Sequence, residues 1–403
     1  MSDRRMRILS FADTRFPIER ANGVQTMATC RALAARSHHV TLLVRPDTHT
    51  PPRDPFEFYG VAVTPTFTIE TIHPRGNATG RRVHMLWSAV RRALSRRRLQ
   101  DASDVVYTRD LGLAALLARV PASRRPRLVY ESHGIAPVVS ASLPSLLGRP
   151  DLAPSENKLA RLDRREALVW ARADAYITIT QTLADDLSTR YGSRSGVSVV
   201  PDGAPPAVAS APVTRPTTDR VRAAYAGHLY PWKGVDIFLR ALAALPQVDG
   251  LIVGGHPGEA DLARVTALAK TLHLEDRLTI TGLLPPYEVA AALAEADLLV
   301  LPNTSTAISE RYTSPLKLFE YLACGGTIIA SDLPAIREVL THDVTAWLVP
   351  PGDAASLADA MSALASDPTH RRRLGEAALE LSAEYTWDRR AERIERALEA
   401  AIS

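Results

Sequence analysis

The chain has 403 residues, of which 46% are apolar and 23% charged, so two domains of ordinary size and composition are expected. No apolar run approaches the roughly 20 residues of a membrane span, so no membrane-spanning helix is expected. Residues 1–205 hold 30 basic against 19 acidic residues, or +11, whereas residues 206–403 hold 18 against 25, or −7. This imbalance predicts an anionic partner for the first half: nucleic acid, a membrane surface or a phosphorylated acceptor.

The chain opens with a βαβ pattern. Arg7–Phe11 is strand-like, a helical pattern runs through Met27 and Leu33, and His39–Val44 predicts the next strand. The N-terminal apolar run is too short for a signal peptide, so we expect a cytoplasmic protein. Gly23 lies between loop and helix, where a missing Cβ lets backbone approach an anion, or simply makes a turn.

The most basic stretch is Arg81–Gln100, which carries seven Arg and no acid. Its apolar residues fall near helical spacing. They are Val83, Leu86, Trp87, Val90 and Leu94. A basic amphipathic helix can lie on anionic lipid headgroups, but the same pattern also fits a surface helix whose apolar side packs inward and whose Arg side is solvated. Both interpretations stay open.

Two further buried strands are predicted at Val105–Tyr107 and Leu128–Tyr130. The second leads directly into Glu131 and His133, at the carboxyl end of a strand, where open parallel sheets bind ligands. His133 is therefore a candidate site residue, with a structural histidine as the alternative. Glu131 either orients His133 or is buried and paired elsewhere.

The second half repeats the opening of the first. It begins after a Pro- and Thr-rich linker at residues 204–218. The pattern then predicts a strand at Val221–Ala226, a loop at Gly227–Gly234 and a helix at Val235–Leu245. We therefore predict an α/β fold with two Rossmann-like domains. The first covers residues 1–205 and the second residues 206–383.

The most informative stretch begins with Leu298–Leu301, a short buried parallel strand, and a polar loop. Ser314 and Pro315 then predict the N-cap and first residue of a helix, which Gly325 ends. Lys317 and Glu320 lie three residues apart, so they share a face just inside that helix.

The start of this helix suits a phosphorylated sugar. Its first-turn amides carry positive partial charge, Lys317 can neutralise a phosphate, and Glu320 can accept hydrogen bonds from hydroxyls. A capped amphipathic helix with a solvated Lys–Glu pair is the alternative.

The segment TSPLKLFEYLACGG resembles the donor-site signature of retaining glycosyltransferases of family 4, which have the two-domain GT-B fold with the active site in the cleft between the domains. The resemblance implies that Glu320 binds the nucleotide ribose and that the helix start binds the diphosphate. The implied donor-binding residues in this segment are Thr313, Ser314, Leu316, Lys317 and Glu320. It also implies that residues 384–403 form a terminal helix that crosses back to the first domain.

The loop AGHLYPWKG resembles the family's phosphate-binding loop. Lys233 matches the family lysine and is the implied catalytic cation, whereas His228 stands where an arginine is usual. A histidine is charged only part of the time near neutral pH, so the phosphate contact at His228 is expected to depend on pH. Leu283 is the implied residue whose backbone lines the base pocket.

The donor-sugar position departs from the family pattern. Eight residues before Glu320 the family has a second glutamate, but this chain has Tyr312, and Glu310 lies two residues too early. Either Glu310 substitutes in a reshaped loop, or Tyr312, Thr313 and backbone hold the sugar.

In the first half the resemblance gives Gly23 a place facing the donor diphosphate and gives His133 a catalytic place near the transferred sugar. It further implies a reaction with retention of anomeric configuration that needs no metal and no cofactor beyond the nucleotide sugar. The acceptor stays open: a sugar, a small molecule or a lipid-linked molecule, with peripheral membrane contact through Arg81–Gln100 on the inner face. No nucleic-acid partner is expected.

Three rival functions remain. An inverting transferase or a sugar-nucleotide epimerase could share the fold, and a non-catalytic nucleotide-binding subunit would fit the departures at His228 and Tyr312. A two-domain dehydrogenase is disfavoured, because neither half shows Gly-x-Gly-x-x-Gly after its first strand.

Overall fold

The computed structural model describes residues 5–95, 102–206 and 220–403, which form two compact units. The first unit comprises Met1–Ala141, Pro154–Pro201 and Trp387–Ser403, and the second comprises Ser142–Ala153 and Asp202–Thr386. The division after Pro201 lies four residues before the predicted boundary at 205/206. Most of the predicted linker, from residue 207 onward, lies outside the described residues.

The described part of the first unit contains a seven-stranded sheet in the order β3-β2-β1-β4-β5-β6-β7, with parallel pairing throughout. Central strands are buried on both faces, as expected of parallel sheets covered by helices. The strands are β1 Arg7–Arg15, β2 His39–Arg45, β3 Phe67–Thr71, β4 Val105–Thr108, β5 Arg127–Ser132, β6 Ala175–Thr178 and β7 Val197–Val199.

The second unit contains, in its described residues, a six-stranded parallel sheet in the order β10-β9-β8-β11-β12-β13. The strands are β8 Val221–Ala226, β9 Val248–Val253, β10 Leu278–Ile280, β11 Leu298–Leu301, β12 Thr327–Ser331 and β13 Trp347–Val349. The predicted α/β class with two Rossmann-like sheets is confirmed.

Helices connect the strands of both sheets. In chain order they are α1 Ala21–Ala35, α2 Pro55–Phe58, α3 Ala78–Leu94, α4 Leu111–Leu117, α5 Ala136–Leu146, α6 Glu156–Arg172, α7 Gln181–Tyr191, α8 Val235–Ala243, α9 Ala260–Thr271, α10 Pro286–Ala294, α11 Ala307–Arg311, α12 Leu316–Cys324, α13 Pro334–Arg337, α14 Ala354–Ser366, α15 Pro368–Ser382 and α16 Trp387–Ile402. Within the described ranges, none of these helices has the length and apolarity needed to cross a membrane.

The terminal helix α16 is part of the core of the first unit. It packs against α1 and strands β5 and β6, and its Ile394 and Leu398 are fully buried together with Leu33 and Ile177. The first unit therefore needs the last 17 residues of the chain to bury its own helix α1.

Helix α3 packs against the first unit through a side that does not include Trp87 and Val83. Small or slender residues, Met85, Ala89 and Ala93, are buried, whereas Trp87 is 63% exposed and Val83 is 54% exposed. The interpretation in which Trp87 packs against the sheet is therefore wrong, because contact with the unit goes through residues at i, i+4 and i+8 from Met85. Of the basic segment, residues 96–100 lie outside the described residues.

Candidate functional site

In the second unit, three glycines bring the loops after β8, β9 and β11 close together. Gly254 has φ 144°, and a Cβ there would collide with the carbonyl oxygen of Gly227. Gly234 has φ 77° and lies against the backbone of Pro302, which again leaves no space for a side chain. These close contacts gather the carboxyl ends of the strands into one edge, the place where such sheets bind ligands.

Helix α12 begins at this edge without a side-chain cap. The predicted cap at Ser314 is wrong, because Pro315 occupies the cap position and the Ser314 hydroxyl instead accepts a hydrogen bond from the backbone N–H of Asp202, at 2.8 Å. Gly325 ends the helix in the left-handed conformation, as predicted. The helix thus keeps uncapped N–H groups at its start, which favours an anion there.

Lys317 is a buried cation on the first turn of α12. Its side chain is 8% exposed, and its Nζ has no hydrogen-bond partner in the part of the chain that the structure describes. The Nζ lies 3.9 Å from the ring centroid of Tyr225, and the lack of a side chain at Gly227 leaves space beside it. Burial, with the nearby charge of Lys233, holds the pKa of Lys317 well below its ordinary value.

Lys233 supplies a second cation to the same edge. It closes a short 3-10 helix, Pro231–Lys233, and its Nζ lies 3.7 Å from the ring centroid of Trp232. Burial lowers the pKa of Lys233 to about 8. The charge of Lys233 thus adds to the burial of Lys317, an unfavourable arrangement until an anion joins them.

Glu320 follows one turn after Lys317 and is half-buried. Burial raises its pKa to about 7, against the attraction of Lys317. Among the described residues, no donor forms a hydrogen bond with its carboxylate. Glu320 is therefore an unsatisfied acceptor beside an unsatisfied cation, as the predicted ribose and phosphate contacts require.

His228 contacts two residues of the second unit, Tyr230 and Glu259. Its ring stacks on Tyr230, with centroids 5.0 Å apart, and its Nδ1 lies 3.4 Å from Glu259, which also accepts a hydrogen bond from the Tyr230 hydroxyl. A carboxylate thus already faces the residue that was predicted to contact phosphate.

The loop after β11, predicted as a polar loop throughout, contains the short helix α11. Thr306 caps it by accepting from the amide of Ser309. Glu310 accepts from Ser305, while Tyr312 and Thr313 are buried just before α12. Leu283, in the loop after β10, is 40% exposed.

Sequence reasoning missed Asn303. It is fully buried directly after Pro302 at the tip of β11, and neither polar atom of its amide has a partner within the described residues. A polar residue immediately after a buried strand was the available signal.

In the first unit, Glu131 is the centre of a buried network. Arg390 of α16 donates to both carboxylate oxygens, at 2.8 and 2.9 Å, and Gln25 donates at 2.8 Å. Tyr107 donates as well, and Nε2 of His133 lies 2.5 Å away. Burial alone would raise the pKa of Glu131, but Arg390 and His133 hold it well below its usual range.

This network fixes His133 at the tip of β5, on the wall of a cavity of about 260 Å³. The orienting role considered for Glu131 therefore has a geometric basis. Gly23, in contrast, is buried inside α1, where a Cβ would collide with Tyr59 and Ile18. Packing within the first unit is sufficient to require glycine at this position.

Comparisons with known proteins identify relatives of this chain. A family model described as Glycosyltransferase Family 4 matches residues 22–208, and one described as Glycosyl transferases group 1 matches residues 211–381. The D-inositol 3-phosphate glycosyltransferase of Nocardia farcinica is 28% identical over 69% of this chain, which spans only 62% of that relative's length.

Solved structures share the fold over nearly the whole chain. The sucrose-phosphate synthase of Thermosynechococcus elongatus superposes with a TM-score of 0.72 at 21% identity, covering 97% of this chain and 98% of the other. The structure of Anabaena HepE in complex with UDP-glucose superposes with a TM-score of 0.72 at 18% identity, covering 98% of this chain and 100% of the other. With two family models matching successive ranges, this chain belongs to the family 4 glycosyltransferases of the GT-B fold.

Proposed function

We propose that this chain transfers a glycosyl group from a nucleotide diphospho-sugar to a hydroxyl acceptor, with retention of anomeric configuration. The observation that carries the proposal is the buried, unpartnered Lys317 beside Lys233 and the uncapped start of α12. A diphosphate compensates both cations, and a ribose satisfies Glu320. The HepE structure named above holds UDP-glucose, a ligand of this chemistry.

The reaction breaks the bond between the anomeric carbon and a diphosphate oxygen, which keeps the electron pair. The acceptor oxygen bonds to the anomeric carbon and loses its proton, and with retention a leaving phosphate oxygen on the same face can take that proton. Lys233, Lys317 and the amides at the start of α12 stabilise the charge that grows on the diphosphate. Because these groups supply positive charge, the proposed mechanism includes no metal ion.

The acceptor belongs to the first unit in this proposal. His133 lies on its cavity and is held by Glu131, so it has a fixed orientation with which to contact an acceptor or the transferred sugar. This assignment of His133 rests on the family resemblance together with its fixed place.

We also propose peripheral contact with an anionic membrane through α3. The exposed Trp87 and Val83 lie one turn apart, and the exposed Arg81 and Arg91 flank them. Arg82 and Arg92 are engaged elsewhere, with Asp110 at 2.8 Å and Glu70 at 3.3 Å respectively.

A thermal-shift panel of nucleoside diphosphates tests the donor site. A ligand at a hundred times its dissociation constant stabilises by about 2.7 kcal/mol, so one base should raise the melting temperature clearly. Lys317→Gln should abolish the shift, and Lys270→Gln, an exposed lysine on α9, should retain it. If no nucleoside diphosphate stabilises the chain, the proposal is wrong. Binding without donor transfer or hydrolysis would instead identify a nucleotide-binding subunit.

A further inference from the structure

Glu166 is a buried acid of the first unit that the proposed mechanism does not use. It lies within α6, is 0% exposed, and its Oε2 accepts a hydrogen bond from the backbone N–H of Ala136 at 2.5 Å. Ala136 is the first residue of α5, so this N–H is one of the donors that a helix leaves unpaired at its start. Glu166 therefore caps α5 from another helix, 30 residues further along the chain.

The capped start of α5 is joined to His133 by two residues only, Gly134 and Ile135. The hydroxyl of Ser132 donates to the carbonyl oxygen of Gly134 at 3.2 Å, and Ile135 is 3% exposed. The connection is thus short and held by its own contacts. A movement of Ala136 would be transmitted to the backbone of His133.

A different acid holds the ring of His133. Its Nε2 lies 2.5 Å from Oε1 of Glu131, whose pKa is held well below the usual carboxyl range by Arg390 and His133, against the effect of burial. Glu131 is therefore ionised and can only accept a hydrogen bond, so Nε2 of His133 carries the proton. Glu131 fixes the ring, and Glu166 fixes the backbone that follows it.

Glu166 differs from Glu131 in having no cation bound to it. Among the described residues it forms no ion pair, and its Oε1 accepts no hydrogen bond. Burial raises the pKa of Glu166 to about 7, and Asp163 on the same helix acts in the same direction. The Ala136 N–H opposes this rise, as do Arg190 of α7 and the hydroxyl of Tyr176.

The other groups around this carboxylate carry no compensating charge. Tyr130 of β5 and Tyr191 of α7 face it, and both keep their protons because burial raises their pKa. Helix α5 itself contains no charged residue. The ionisation of Glu166 is therefore the largest change of charge available at the start of α5 near neutral pH.

The two forms of Glu166 hold α5 with different strength. Hydrogen bonds to an ionised acceptor are about twice as strong as those between neutral groups. A negative charge at the start of a helix is also stabilised by the helix dipole. Protonation of Glu166 removes both contributions.

We propose that Glu166 is a positioning residue for His133: its ionised carboxylate holds the start of α5, and its protonation loosens that hold. For its part in the reaction, this inference rests on the proposed function, in which His133 contacts the acceptor or the transferred sugar. The hold itself does not depend on a bound donor.

Residue-selective NMR on the full chain tests the hold. Isoleucine is followed by alanine at two places in the sequence, 135–136 and 329–330. Labelling isoleucine carbonyls with ¹³C and alanine nitrogens with ¹⁵N therefore gives two signals, from Ala136 and from Ala330 in β12, which Ala136→Ser assigns. In the parent chain, the Ala136 N–H signal should shift with a midpoint near pH 7, whereas Ala330 serves as the reference.

Three variants identify the group that titrates. Glu166→Gln should abolish the transition at Ala136, and it should fold because it keeps the shape and removes a buried charge. Glu156→Gln, an exposed residue on the same helix, should leave the transition unchanged. Asp163→Asn should lower its midpoint, because it removes a negative charge that raises the pKa of Glu166.

The Nε2 proton of His133 reports the positioning. Its NMR signal is identified by its loss in His133→Asn. At pH 8, its exchange with water should be about tenfold faster in Glu166→Gln than in the parent, and at pH 5.5 the two should agree within about twofold. A purely structural role of Glu166 would change the exchange alike at both pH values.

The inference is overturned by an Ala136 signal without a transition between pH 5.5 and 8.5, or by a transition that survives in Glu166→Gln. Equal exchange of the His133 proton in parent and variant at pH 8, or an equal difference at both pH values, overturns it as well. If these expectations hold while no nucleoside diphosphate stabilises the chain, the hold is established and the proposed function fails. If a nucleoside diphosphate stabilises a chain in which they do not hold, only this inference fails.

Discussion

At the residue scale, Lys317 and Glu320 behave unlike an ordinary ion pair on a helix. They lie three residues apart, yet they form no salt bridge in the described structure, and burial shifts the pKa of each toward its neutral form. An unpartnered cation and an unpartnered acceptor on one face are costly in the empty protein. A ligand with phosphate at one end and hydroxyls at the other would satisfy both.

Replacing Glu320 by glutamine should separate the ribose contact from the rest of the site. Hydrogen bonds to a charged group contribute about 1.5–3 kcal/mol, so Glu320→Gln should weaken nucleoside diphosphate binding about tenfold or more. The 2′,3′-dideoxy nucleotide should bind both proteins alike. Because burial raises the pKa of Glu320 to about 7, removing the charge should not lower the melting temperature at pH 8. If Glu320→Gln weakened the binding of the ribonucleotide and of the dideoxynucleotide equally, the ribose contact would be excluded.

Nucleotide affinity should fall as pH rises through about 8. Lys233 has its pKa lowered to about 8, so it loses its proton there. A bound diphosphate raises that pKa, so binding at this pH is accompanied by uptake of a proton on Lys233. Calorimetry at pH 8.5 in buffers of different ionisation enthalpy should show proton uptake. Lys233→Arg keeps its charge and should show less uptake and a flatter profile. A constant affinity from pH 7 to 9.5 in the parent chain would rule out Lys233 as a diphosphate ligand.

At the element scale, α12 shows where sequence reasoning succeeded and where it stopped. Its strand, helix and terminal Gly325 were predicted from local pattern. The cap was predicted wrongly, because the Ser314 hydroxyl accepts a hydrogen bond from the backbone N–H of Asp202, 112 residues earlier. A local rule assigns a capping side chain to the nearest helix and has no information about a distant backbone donor.

Helix α3 should bind anionic vesicles in a salt-dependent manner. Each exposed basic residue near such a surface contributes about 1 kcal/mol, and Trp87 adds apolar contact. In cosedimentation at low salt, the triple variant Arg81→Gln, Arg91→Gln, Trp87→Ser should lose binding. Arg240→Gln with Arg372→Gln, two exposed arginines of the second unit, should retain it. Absence of binding to anionic vesicles at low salt would end the membrane proposal.

Helix α16 should stabilise the first unit through Arg390. Removing one partner of a buried ion pair costs about 3–5 kcal/mol, so Arg390→Gln should lower the free energy of unfolding by that amount at pH 7. Arg389→Gln is its matched control, because Arg389 is exposed and paired with Glu392, and it should cost at most about 1 kcal/mol.

The pH dependence gives the Arg390 prediction a sign. The pKa of Glu131 is lowered in the folded chain, so its contribution is present above the ordinary carboxyl range and is lost as pH falls through the lowered value. The difference between parent and Arg390→Gln in urea unfolding should therefore shrink at strongly acid pH. Equal costs for the Arg389 and Arg390 variants at pH 7 would contradict the assigned network.

At the scale of the whole molecule, the sequence predicted both sheets because buried parallel strands are continuous apolar runs with breakers between them. It also predicted that Lys233, Lys317 and Glu320 follow strand ends; their part in donor binding stays a prediction. It did not predict that Arg390 pairs with Glu131, which lies 259 residues away in the sequence, or that Trp87 is exposed. Such partnerships depend on which elements pack together, and the hydrophobic period of each element does not encode that choice.

The stereochemistry of transfer tests the central claim most directly. The full chain would be incubated in excess EDTA with the nucleoside diphospho-α-sugar that stabilises it and with a panel of hydroxyl-bearing acceptors. The anomeric proton of the product would be followed by NMR. The proposed function predicts an α-linked product and released nucleoside diphosphate. A β-linked product, or transfer that EDTA abolishes, would contradict the proposed mechanism.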